Sequence, residues 1–439
     1  LRLRAILGAS LLAAFAAVPA FFAGSSSAVP APTFTVLANY VLPAGGAEVV
    51  VFGPNPRYVA VSAAGPDKVA IVDLKDPSGP SQACELDVSS WGEPTSVAFH
   101  PSGGYVLAVV KDDPNPGTAV AFRVPDCSVV WTKSIGIGPD SVVFNRSGIA
   151  VIAIEDEELE VTNPYACPAG NVRPGYVQLL DTRPGKRLLL SNVGIDLTNV
   201  AGANCPNDPQ PEAIAVSANG RYAYVTLQEN NAVATIDIAR KQMVAARSLG
   251  VTAHRADTTN NATADVTDAN FRGRREPDGI ALSRDGRYLF TADEGDTSRQ
   301  DSFSPPEFSG GRTMSVVRVN DLAVVTDTGA QIEDRAAIEF NNGNPAALPQ
   351  SRARNRGPEP EGVTTFAYGK SDYAVVALER SNALVVFDVT NPLAPTAVAW
   401  INVGDRPETV AYSPVRRLLI SGNEVGASIS VICVGGNCK

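Results

Sequence analysis

Histidine is nearly missing from this chain, with two in 439 residues. That scarcity excludes centres built on a ring of histidines or on histidine-bound haem. His100 falls in the turn FHPSGG, where the chain elsewhere reads SANG or SRDG, and His254 sits in a polar stretch. There is no GxSxG elbow, no P-loop and no GxGxxG opening a helix, so those routes to acyl transfer and nucleotide binding have no carrier. Basic charge is outweighed, 36 Lys and Arg against 46 Asp and Glu, for a net charge of -10. A nucleic-acid binder needs the opposite balance. No CxxC occurs and no histidine stands beside a cysteine, which argues against structural zinc.

Apolar length is confined to the N-terminus. Arg2 and Arg4 precede an apolar run from Ala5 to Ala23, and Ser25 to Ala28 offers small residues for cleavage. This pattern predicts a signal peptide over residues 1–28, then a short linker at 29–33. No later run is long enough to span a bilayer. Export places the six cysteines in an oxidising compartment, where disulfides are expected. Six cysteines allow fifteen pairings. Position along the chain favours Cys84–Cys127, Cys167–Cys205 and Cys433–Cys438.

Self-similarity sets the fold. EPDGIALSRDGRYLFTADEGD from Glu276 matches PEAIAVSANGRYAYVTLQENNAVATIDI from Pro211 and PEGVTTFAYGKSDYAVVALERSNALVVFDV from Pro360. Shorter matches begin at Pro94, Pro139 and Pro407, and a diverged copy at Ala47. Each copy has a short apolar strand, a turn, a strand rich in Val, Tyr and Ala, and a third strand often ending in Asp. Short β-branched runs between turn residues are strands. Four strands per repeat of roughly 45 residues mark a β-propeller blade. The class is therefore all-β, a seven-bladed propeller over residues 34–434 with a tail at 435–439. The seventh copy has only three strands, and FTVLANYVLP at Phe34 to Pro43 is available to complete it.

Carboxylates recur at one place in the repeat. The residue after the opening Pro, or its equivalent, is Glu48, Thr95, Asp140, Glu212, Asp278, Glu361 and Glu408. The innermost strand begins there, so six carboxylates are expected round the mouth of the central channel. The loop after the second strand lies on the same face and adds Asp112, Asp113, Glu155, Asp156, Glu157, Glu158, Glu229, Asp293, Glu294, Asp296, Glu379 and Glu424. Crowded carboxylates repel unless a cation intervenes, and hard oxygen ligands suit Ca²⁺ or Mg²⁺. Glu212, Asp278, Glu361 and Glu408 are the first metal candidates, followed by Asp140, Glu48, Asp293 and Glu294. Acids capping turns or pairing with arginines are the plainer alternative. Arginines precede the Pro-acid step twice, as Arg272, Arg274 and Arg275 and as Arg352, Arg354 and Arg356. Guanidinium forks suit phosphate, sulfate or carboxylate, although neutralising the acidic face is the simpler role. The long connections at 155–175, 182–210, 250–276, 293–313 and 331–357 all project on that face, where binding loops gather.

The segments from Gln210, Arg275 and Gly357, in that order, resemble the choice-of-anchor I family of secreted bacterial β-propellers, and the shorter repeats resemble the YVTN type. The resemblance implies an extracellular propeller, often attached to the surface through a variable C-terminal anchor. Some relatives are grouped by similarity with alkaline phosphatases or phytase-like propellers, which use calcium at the channel mouth. This chain ends at GGNCK without a sorting signal, so a freely secreted or periplasmic protein is expected. The leading expectation is a monomeric binding propeller with calcium in the acidic mouth and an anionic or other extracellular ligand beside it. A calcium-dependent phosphoesterase, with Arg275 and Arg356 on phosphate, and a metal-free surface interaction protein are the alternatives. No nucleic-acid partner and no membrane span after export are expected.

Overall fold

The computed structural model describes residues 31–43, 45–156, 167, 173–294 and 307–438. The expected signal peptide lies outside them, as do Glu157, Glu158 and Asp296. Seven four-stranded antiparallel sheets follow one another along the chain. The innermost strands are Val50–Phe52, Glu93–Phe99, Pro139–Phe144, Ile214–Val216, Pro277–Leu282, Pro360–Tyr368 and Pro407–Ser413. Second and third strands such as YVAVSA, IAVIAI and ALVVFD are buried almost end to end. A strand covered on both faces must be apolar throughout rather than alternating. The outermost strands alternate, as in QMVAARS, because one face meets solvent.

Packing between sheets fixes their stacking. Each neighbouring pair of blades shares one apolar cluster, including blades seven and one through Val59, Val61, Ile420 and Val431. Burying one such Val or Ile is worth about 1.5–3 kcal/mol. The last sheet runs Phe34–Val41, Ser428–Val434, Leu418–Asn423, Pro407–Ser413, so its outermost strand comes from the start of the described chain. Phe34 pairs with Val434 and Val41 with Ser428.

All three expected disulfides are present, with Cα–Cα separations of 5.8 Å for Cys84–Cys127, 5.2 Å for Cys167–Cys205 and 5.6 Å for Cys433–Cys438. Among the described residues no helix is long and apolar enough to cross a membrane. The connections hold more structure than the sequence reading gave them. Val251–Ala256 and Asp268–Arg274 form a separate two-stranded hairpin. QIEDRAAIEFN is an α-helix over Gln331–Asn341. Ala264 and Val266 pack against Ala336, Ala337 and Leu348, joining the two insertions. Arg312 pins this cap from within. It is 1% exposed, pairs with buried Glu333 at 2.7 Å, and lies over the rings of Phe271 and Phe308. It also donates to the carbonyls of Asp257 and Arg354, at 3.1 and 2.7 Å.

Candidate functional site: the acidic channel mouth

The Pro-acid step has a local geometry that explains its repetition. Proline lacks an N–H and is tolerated only at the first residue of an inner strand or at a bulge. In blades three, five, six and seven the ladder slips just after that proline, between Pro139 and Val142, Pro277 and Ile280, Pro360 and Val363, and Pro407 and Val410. The acid lies inside the slip, released from the regular pairing. The residue before the proline is left-handed in the same four blades: Gly138, Glu276, Glu359 and Arg406, with φ of 58°, 44°, 57° and 54°. A non-glycine residue there costs about 1–2 kcal/mol. Three of these four turns, at Glu276, Glu359 and Arg406, thus carry strain to bring an acid to the channel, and glycine spares the fourth.

The turns put the carboxylates together. Ligand-capable oxygens lie within 4.8 Å of one another in three groups: Glu155, Glu212 and Glu229; Glu294, Glu359, Glu361 and Glu379; and Glu379, Glu408 and Glu424. Strand-entry acids (Glu212, Glu361, Glu408) therefore meet acids that follow second strands, as the repeat predicts. A cavity of about 460 Å³ opens beneath, lined by Glu48, Asp140, Asp278, Glu408 and Glu424 above Val51, Val97 and Val142. Where blade two carries Thr95 instead of an acid, Glu93 lies close enough to act on Glu48 and pairs with Lys111 at 3.2 Å.

Burial and like charge hold these groups towards the protonated form. Glu48 is pushed up to about 8, first by burial and then by Glu424 and Glu93. Glu212 is raised well above the carboxylate range by burial, with Glu229, Asp278, Glu155 and Asp140 adding to it. Glu361 and Glu408 rise for the same reasons, Glu361 beside Glu294 and Glu408 beside Glu379. Asp278 is raised by burial, while its hydrogen bond with Glu361 opposes the shift. Glu294 is raised by burial and Asp278 against the pull of Arg356, and it accepts from Gln228 Nε2.

Arginine divides the three groups. Arg356 pairs with Glu359 and stands 3.7 Å from Glu294. Arg380 pairs with Glu359 and, at 2.9 Å, with Glu379, which Arg406 approaches at 3.5 Å. All three guanidiniums thus serve the side of the mouth made by blades five to seven. Among the described residues the carboxylates they are seen to meet are Glu294, Glu359 and Glu379. Within the group of Glu155, Glu212 and Glu229, Glu212 Oε2 is sealed from solvent and has no hydrogen-bond partner among the described residues.

Other expected residues are used elsewhere. Asp293 is engaged within its own blade. It accepts from Thr291, Thr313 and Ser315 at 2.8, 2.5 and 2.6 Å inside blade five, and burial pushes it up to about 7 against Arg275. Arg275, 7% exposed, is a strut that donates to Ser315, the Leu249 carbonyl and Asp327. Arg272 pairs with Glu307 at 3.2 Å, and Arg274 lies 3.9 Å from Glu276. Arg352 and Arg354 are exposed, and their carbonyls accept from the Arg356 amide and from Arg312. Of the six arginines, Arg356 is seen to meet carboxylates of the ring, Glu359 and Glu294. His100 stacks on Tyr105 and His254 packs on Phe271, both in structural settings. The sequence reading passed over Glu359, Arg380 and Arg406. Glu359 was legible in GPEPEG as a second acid flanking the same proline.

The sequence model of the choice-of-anchor I domain matches residues 48–305 and 297–392. No curated protein matches the chain. Among solved structures, Kuenenia stuttgartiensis hydrazine synthase is similar over 89% of this chain and 96% of that one, at 14% identity and a TM-score of 0.58. The β-propeller domain of Myceliophteria thermophila Cps50 (Swd1) is similar over 90% of this chain and 99% of that one, at 13% identity and a TM-score of 0.54. At these identities the likeness concerns the fold.

Proposed function

This chain belongs to the choice-of-anchor I family, and from that premise we propose that it is an extracellular binding propeller that holds a divalent cation, calcium for preference, at its acidic channel mouth. Three disulfides accord with an oxidising compartment. The observation that carries the reading is the group of Glu155, Glu212 and Glu229, in which the Glu212 Oε2 is sealed from solvent and accepts no hydrogen bond from the described residues. A buried carboxylate oxygen with no donor is costly unless a proton or a cation serves it.

The donor set fits the ion. Calcium takes oxygen ligands at about 2.3–2.6 Å, so two ligands of one ion stand no more than about 5 Å apart. The three carboxylates meet that limit at 4.8 Å. Asp140 and Asp278 add negative potential at Glu212. Carboxylates without imidazole or thiolate favour hard cations over zinc or copper. Calcium supplies charge neutralisation here and a joint between blades three and four. The protein's own part is to hold the carboxylates in place through the bulged strand entries and the second-strand exits. Titration of the chelated protein with Ca²⁺, followed by calorimetry, tests the reading. Saturable binding that Glu212→Gln weakens supports it, and heat indistinguishable from dilution refutes it.

A further inference from the structure

At the other end of the innermost strands, away from the carboxylates, a second cavity of about 390 Å³ opens between blades five, six and seven. Its floor is a slab of aromatic rings. Phe366 stacks on Tyr373 at 5.0 Å and leans on Tyr412 at 4.9 Å. Phe366 and Tyr373 are almost fully buried, so Tyr412 and, across the cavity, half-buried Tyr288 offer ring surface to an occupant. The rim holds two guanidiniums and two carboxylates, already matched. Arg284 Nε lies 3.1 Å from Asp372 Oδ1, and Arg287 Nε 2.6 Å from Asp285 Oδ2.

We propose that this cavity is a binding site for a neutral pyranose ring of an extracellular saccharide. The balanced rim sets the charge, since an anion would meet Asp285 and Asp372 and a cation would meet Arg284 and Arg287. The aromatic slab asks for a flat apolar face, which the C–H face of a pyranose supplies. The rim asks for groups that both donate and accept. Carboxylate oxygens only accept and guanidinium nitrogens only donate, and adjacent sugar hydroxyls satisfy both. A purely apolar occupant would desolvate two ion pairs and return no hydrogen bond to the rim. The volume lies at the small end of the ~300–1,000 Å³ of ligand pockets, enough for one or two rings rather than a polymer cross-section. This site is separate from the carboxylate mouth and stands or falls independently of the cation.

Saturation-transfer NMR on the full chain tests it, with methyl glycosides of neutral hexopyranoses as probes and glucuronate and glucosamine as charged counterparts. At least one neutral methyl pyranoside is expected to receive transfer, concentrated on the protons of one ring face. Arg284→Ala is expected to weaken that binding about tenfold, as loss of a charged hydrogen bond does. The Arg284 side chain is 60% exposed, so this variant retains the fold. Tyr288→Ala is expected to weaken the same signal. Absence of transfer from every neutral probe, transfer confined to charged sugars, or transfer that both variants leave intact would each overturn the proposal.

Discussion

Thr409 Oγ1 donates to the backbone carbonyl of Glu48 at 2.5 Å, across 361 positions of the chain. It also accepts from the Val50 amide at 3.0 Å. One hydroxyl therefore ties the innermost strand of the last blade to that of the first, at the level of the carboxylate ring. Ser141 makes the corresponding contact with the Glu212 carbonyl. At the equivalent position in blades five and six the residue is glycine, because a Cβ there would come 2.4 Å from the Glu361 carbonyl or 2.6 Å from that of Glu408.

Thr409→Val keeps the shape and removes both hydrogen bonds, leaving a carbonyl and an amide without partners. A loss of about 1–3 kcal/mol is expected, and Thr409→Ser should recover most of it. Urea denaturation followed by tryptophan fluorescence measures the difference.

The mouth predicts an inverted pH dependence for the metal-free protein. A carboxyl with a higher pKa folded than unfolded keeps its proton longer in the native state. Its contribution is fully present below the ordinary 4.5 and fades as pH rises towards about 8, the value for Glu48 and Glu379. Glu212, Glu361 and Glu408 shift in the same direction. In chelator, the melting temperature should fall from about pH 5 to about pH 8. Millimolar Ca²⁺ should reverse most of that fall at the upper end and change little at the lower, where protons already occupy the site. Scanning calorimetry in the four conditions checks both signs.

Glu212→Gln separates ligand from scaffold. It removes one charge from the group with Glu155 and Glu229 and keeps the side-chain volume. Calcium affinity should fall roughly tenfold or more, while the metal-free protein at pH 8 should become more stable, because repulsion is relieved. Glu361→Gln lies in the group that Arg356 and Arg380 already neutralise and should affect calcium affinity less. Paired titrations of the two variants test this division of the mouth.

Arg312→Met tests the cap. The substitution leaves Glu333 buried without its partner and frees the carbonyls of Asp257 and Arg354. Breaking such a pair costs about 3–5 kcal/mol. Hydrogen exchange should rise first in Gln331–Asn341 and in the 345–358 segment, with the blades following only later.

The blades were legible because strand patterning repeats and any one copy supports the others. The carboxylate ring was legible for the same reason: the acid follows proline in five copies, and the diverged first copy keeps it as Glu48. The division of the ring by arginine was not. Arg356, Arg380 and Arg406 arrive from three separate connections, and only the closed stack brings them to Glu359 and Glu379. Arg275 misled because FRGRREPDG shows three arginines within four residues, while the strand and turn geometry sends this one inward to Asp327. The helix Gln331–Asn341 was hidden by its setting, since its weakly amphipathic sequence finds its apolar partners in other segments: Ile332 joins the core of blades five and six, and Ala336 and Ala337 meet Ala264, Val266 and Leu348.

The central claim is a divalent cation held by Glu155, Glu212 and Glu229. Elemental analysis of protein purified from calcium-containing buffer and desalted without chelator tests it most directly. The account predicts about one or more Ca²⁺ per chain, lost in Glu212→Gln. A wild-type chain free of stoichiometric calcium or any other divalent ion would contradict it.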